Sequence, residues 1–141
     1  MTVSYHGTMK TRAAWWMAVG LALFSVAGCS KGPQERLQGK WVGDSINNIP
    51  PEQEARATGW VRHTSFLFEG DKMTVALPAG ESRTGAYKVE RSSGNKVMLK
   101  IDRGNGEADE ATLTMVNENA FKWDIGNERT VKFTRVASAQ Q

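Results

Sequence analysis

From Tyr87 to Thr134, apolar and polar residues trade places at each step in five successive short runs. A two-residue period is the mark of a strand, whose successive side chains leave on opposite faces. Tyr87 and Val89 alternate with Lys88 and Glu90, and Val97, Leu99 and Ile101 with Met98, Lys100 and Asp102. Ala111, Leu113 and Met115 alternate with Thr112 and Thr114, Phe121, Trp123 and Ile125 with Lys122 and Asp124, and Val131 and Phe133 with Lys132 and Thr134. Each run offers one apolar face, as an antiparallel sheet with one wet side requires.

Three less regular runs precede these, at residues 37–44, about 62–68 and 72–77, the last with Met73, Val75 and Leu77 inward. Between runs sit Glu69-Gly70-Asp71, Pro78-Ala79-Gly80, Ser93-Gly94-Asn95, Arg103-Gly104-Asn105-Gly106, Asn117-Glu118-Asn119 and Gly126-Asn127. These residues tolerate the positive φ or the local side-chain hydrogen bonds of tight turns. The expectation is an all-β domain of eight strands in an antiparallel meander, with a barrel or a sandwich as the two ways to bury the apolar face. One connection is long: residues 45–59 hold Pro50, Pro51 and Glu52-Gln53-Glu54-Ala55-Arg56-Ala57. Pro51 suits a first helical turn and Glu52 and Arg56 lie one turn apart, so a short helix or ordered flap fits, as does an irregular surface loop.

The first 28 residues read differently. Lys10 and Arg12 give a positive start, residues 13–27 give an apolar stretch with Trp15, Trp16, Leu21, Leu23 and Phe24, and small residues follow. That order is a secretory signal peptide, with Met9 as its expected start, and the stretch is short for a membrane span. Val26-Ala27-Gly28-Cys29 then resembles the lipobox of bacterial lipoproteins. The resemblance implies cleavage before Cys29, a diacylglycerol on its sulfur and an acyl group on the new amino terminus. It also implies a cell-envelope protein held to the membrane by its lipid. With Ser30 next, it implies the periplasmic face of the outer membrane in a Gram-negative source. The expected parts are therefore a signal peptide 1–28, a lipidated cysteine and polar tether 29–36, a barrel domain 37–136 and a frayed tail 137–141.

Loss of Lys10 and Arg12 with the leader lowers the net charge from +3 to +1, so the high pI belongs partly to the leader. A near-neutral domain with scattered charges has no electrostatic footprint for nucleic acid. Cys29 is the sole cysteine, which removes any intramolecular disulfide and leaves stability to the core.

Gly39-Lys40-Trp41 at the first strand, taken with Arg135 near the end of the last, resembles the lipocalin and wider calycin pattern. The resemblance implies a closed barrel with Trp41 at its base and Arg135 across the indole. Arg135 shares parity with Val131 and Phe133 and so should point inward, where a Trp face and carbonyls would satisfy it. The chain is shorter than typical lipocalins and lacks their C-terminal helix and disulfide; it looks most like compact lipocalin-like domains of bacterial lipoproteins. A pocket in such a barrel would be lined by Phe66, Phe68, Tyr87, Leu99, Met115, Trp123 and Phe133. Two partner classes follow: a small hydrophobic ligand carried in a cavity, or an envelope protein bound by the surface of a solid-core barrel in assembly or inhibition.

Catalytic signals are thin. His63 is the only histidine after the leader, so no two-histidine metal site can form, and no serine sits in a nucleophile motif. Asp109 and Glu110 would alternate faces on a strand and cannot converge on one bond. Gly104-Asn105-Gly106 lacks the strand–turn–helix setting of a phosphate loop. The expectation is a non-enzymatic protein with no catalytic residue, no metal and no cofactor beyond the covalent lipid.

Overall fold

A computed structural model describes residues 31–137; Cys29, the leader before it and the last four residues lie outside the described residues. The elements in order are α1 (Pro33–Leu37), β1 (Gly39–Ile46), α2 (Pro51–Arg62), β2 (Ser65–Glu69), β3 (Lys72–Ala76), β4 (Ser82–Ser93), β5 (Lys96–Asp102), β6 (Ala108–Asn117), β7 (Ala120–Gly126) and β8 (Arg129–Arg135). The eight strands form a closed barrel in sequence order, each antiparallel to its neighbours. Closure comes from β1 against β8, where Trp41 pairs with Arg135, Val42 with Thr134 and Gly43 with Phe133. Of the two ways to bury the apolar face, the chain takes the barrel.

The hairpin turns near Gly70, Gly94 and Glu118 lie at one end together with α1, and this end is the base. The turns near Gly80, Gly104 and Asn127 lie at the other with α2, and this end is the mouth. Near the base the interior is solid. Trp41, Phe121, Phe133 and Leu37 are fully buried or nearly so. The Trp41 and Phe121 ring centroids are 4.7 Å apart, Phe121 and Phe133 stack at 5.3 Å, and Phe66 and Phe133 meet at 4.6 Å. Such ring pairs add to the area they bury, and an eight-stranded barrel is just wide enough for them.

α1 occupies residues expected to be a free tether. Pro33 opens it, where a missing N–H costs nothing. One turn of helix has little stability alone, and packing supplies the rest. Leu37 is fully buried, and the Trp41 Nε1–H donates to the Leu37 carbonyl at 2.8 Å. The Gln38 side chain then clamps the β2–β3 turn: its Nε2 donates to the Gly70 carbonyl at 3.0 Å and its Oε1 accepts from the Gly70 N–H at 2.7 Å. The first strand accordingly starts at Gly39 rather than at residue 37.

α2 resolves the alternatives for the long connection in favour of a helix with Pro51 in its first turn. It runs to Arg62, so the second strand begins at Ser65, later than its expected start. The reason is packing at the helix end. Val61 is fully buried, and the Thr64 carbonyl accepts from the Gly43 N–H at 3.0 Å. Gly43 is the seat: a Cβ there would stand 2.6 Å from Val61 Cγ1 and closer still to the Val61 carbonyl oxygen. Only a residue without a side chain lets α2 lie this close to β1.

Candidate functional site

Toward the mouth the interior is not filled. A cavity of about 910 Å³ opens there, in the size range of ligand pockets. Its walls are mostly apolar: Phe66 and Phe68 from β2, Met73 and Val75 from β3, Leu99 and Ile101 from β5, Ala111 and Leu113 from β6, and Phe121 and Trp123 from β7. Gly85 on β4 pairs with Met73 and borders the cavity, and a Cβ there would stand 2.6 Å from the Asp102 carbonyl oxygen, so the glycine lets β4 pass close to the end of β5. Trp60, in the last turn of α2, borders the cavity and is 52% exposed. Leu77 borders it from the β3–β4 turn.

Of the residues expected to line a pocket, Phe66, Phe68, Leu99 and Trp123 do so, and Tyr87, Met115 and Phe133 do not. Phe133 is taken up by the ring stack with Phe121 and Phe66 in the closed half. Met115 pairs with Phe121 next to the β6–β7 turn, below the cavity floor. Tyr87 plugs the base: its hydroxyl donates to the Gly70 carbonyl at 2.9 Å and accepts from Gln38 Nε2 at 2.9 Å. Burial holds the Tyr87 hydroxyl above its ordinary pKa, partly offset by the Gln38 hydrogen bond. Ile125, expected inward with Trp123, is 41% exposed, because the β7–β8 register shifts between Asp124 and Gly126 at the rim.

The pairing that closes the base is complete. The Arg135 Cζ lies 4.2 Å from the centroid of the Trp41 ring. Its guanidinium donates to the carbonyls of Gln38, Arg36 (2.6 Å) and Glu118 (3.2 Å). Desolvation lowers the Arg135 pKa, yet a guanidinium remains charged at any physiological pH. Gly39 has a φ of 111°, and a Cβ there would come within 3.0 Å of Arg135 Nη1. The glycine is thus required twice over, by its backbone and by the arginine that passes it.

Two inward polar residues escaped the sequence reading, which placed only Tyr87 and Arg135 inside. Arg83 lies opposite Val75, and Asp109 opposite Ile101. Directly paired residues share a face, so both point toward the cavity mouth. The signal was available by stepping back two residues at a time from Tyr87 to Gly85 and Arg83, and from Ala111 to Asp109. Asp109 accepts from Arg103 through both carboxylate oxygens, Nε to Oδ2 at 2.7 Å and Nη2 to Oδ1. Those hydrogen bonds hold the Asp109 carboxyl below its ordinary pKa.

His63, the histidine after α2, is exposed, and its Nδ1 donates to the Gly59 carbonyl at 2.7 Å. Among the described residues no group of three or more His, Cys, Asp and Glu side chains could hold a metal ion. No helix among them is long and apolar enough to cross a membrane. No protein-family model matches the chain, and no curated protein sequence does.

Proposed function

We propose that this chain is a lipid-anchored lipoprotein of the cell envelope whose lipocalin-like barrel binds a small apolar molecule. The observation that carries the reading is the apolar cavity of about 910 Å³ at the mouth, set above a base sealed by Trp41, Arg135 and α1. A barrel built only as a scaffold for surface contacts gains nothing from empty space, because each unfilled void forfeits packing energy. The cavity therefore favours ligand binding over a solid-core interaction module. Trp60 and Trp123 border the space and would sense an occupant. The reading is non-enzymatic: the paired Arg103 and Asp109 at the rim satisfy each other, and His63 is engaged with backbone.

The lipid anchor rests on Val26-Ala27-Gly28-Cys29 after a signal-like stretch. Acyl chains contribute about 0.8 kcal/mol per buried CH₂, so a diacylated Cys29 would hold the protein to a bilayer without help from its surface. Two experiments test the reading. Tryptophan emission is followed while fatty acids, fatty alcohols and environment-sensitive dyes are titrated in; a saturable signal is expected, and its absence across the panel removes the carrier reading. Mass measurement of the mature N-terminal peptide, with membrane fractionation of Cys29→Ser beside the parent, is expected to show an acylated Cys29 and loss of membrane association in the variant. An unmodified Cys29 in a soluble protein removes the anchor.

A further inference from the structure

The rim of the cavity carries charges of both signs, and strand parity sorts those that face inward. Asp102 and Glu110 border the space, but each follows an inward residue, Ile101 and Asp109, so their side chains leave on the outer face. Asp102 Oδ1 moreover accepts from the Gly104 N–H at 2.7 Å. Two inward charges remain on the strands, Arg83 and Asp109, and Arg103 just past the end of β5 borders the same space. Arg103 and Asp109 neutralise one another through a two-pronged contact, with Glu107 at 3.4 Å from Arg103 as a further counter-ion. Arg83 has no ion-pair partner among the described residues. The mouth of an apolar cavity thus presents one guanidinium without an ion-pair partner.

We propose that Arg83 determines specificity, so that the cavity takes a single-chain amphiphile with an anionic head, the chain inside and the carboxylate on Arg83. This rests on the cavity being a ligand site. A guanidinium offers a planar fork that matches a carboxylate with two parallel hydrogen bonds. A cationic head would meet the same unpaired charge and be repelled. Arg83 is exposed and outside the packed core, so its replacement should leave the fold intact.

The test compares dodecanoate, dodecanol and dodecyltrimethylammonium, which share one chain and differ in head charge, by tryptophan emission below their micellar concentrations. Parent protein should bind dodecanoate about tenfold or more tighter than dodecanol, and the cation weakest. Arg83→Gln should erase the preference for dodecanoate while leaving dodecanol affinity unchanged, and Arg83→Lys should restore part of it. Unaltered melting of Arg83→Gln checks that the fold is retained. Saturable binding that is indifferent to head charge, or a preference that survives Arg83→Gln, overturns the role of Arg83 and leaves the cavity as a ligand site. Absence of saturable binding for all three overturns both.

Discussion

Replacing Arg135 by alanine tests how the barrel is closed. The side chain joins three segments: it stacks over the fully buried Trp41 of β1, and donates to carbonyls at the end of α1 and in the β6–β7 turn. A partly desolvated cation over an indole is worth up to about 2 kcal/mol. The two part-buried carbonyls, of Arg36 and Gln38, lose charged donors worth about 1.5 kcal/mol or more each, while the exposed Glu118 carbonyl regains water. Relaxation of α1 recovers part of this, so Arg135→Ala should cost roughly 2–4 kcal/mol, well above an ordinary surface substitution. For a domain of this size that lowers the melting temperature by roughly 10–25 °C. Urea melts at constant slope give the free energy directly. Arg83→Ala, an arginine at the opposite end without a stack, serves as the control and should cost under about 0.5 kcal/mol. Arg135→Lys keeps the charge but not the fork, and should regain less than half of the loss. If Arg135→Ala melts with the control, the stack contributes nothing to closure and the reasoning fails.

Gly43→Ala forces a methyl into Val61, and should either cost about 3 kcal/mol or lift α2 from β1, read by melting and by hydrogen exchange of the α2 amides. Tyr87→Phe should cost about 1 kcal/mol, since the Gly70 carbonyl keeps donors from Gln34 and Gln38. Its pH signature is sharper. The folded state holds the Tyr87 proton to a higher pH than the unfolded chain does. Stability from this residue is therefore intact below the ordinary tyrosine value of about 10 and declines as pH climbs through the raised folded value. Tyr87 is the only tyrosine after residue 28, so phenolate absorbance of the mature chain reports it alone, and the Phe variant should lack this part of the alkaline decline. Gly39→Ala combines a strained φ with a contact against Arg135, and should lower the urea midpoint more than an alanine placed at Gly94 in an open turn.

The strands from Tyr87 onward were legible because each carries one apolar face, and the period of two survives where that face is buried against a core. Legibility fails where local pattern and tertiary role diverge. α2 has Val61 as its one buried residue, so no apolar stripe announces its length, and the sequence there reads as the start of a strand. The first part of β4, Ser82 to Ala86, has no apolar partner to alternate with, since its inward positions are Arg83 and Gly85 at the mouth. The same gap hid the rim of the cavity. Parity placed Tyr87, Met115 and Phe133 inside correctly but says nothing of height along the barrel axis, which decides whether an inward side chain lines a cavity or plugs a base. Height is fixed by the stagger between neighbouring strands, a property of the closed sheet and of no single run.

The docking of α1 at the base has a geometric consequence for an anchored protein. Pro33 begins a helix bonded to the base, and four residues of chain reach at most about 14 Å. An acyl group on Cys29 would leave too little slack for the barrel to tumble freely, and would stand it base-down on the bilayer with its opening turned toward the aqueous side. Cargo would then arrive and leave through water, handed over by a soluble carrier or an opposing membrane surface, and not drawn sideways from the leaflet in which the protein is planted.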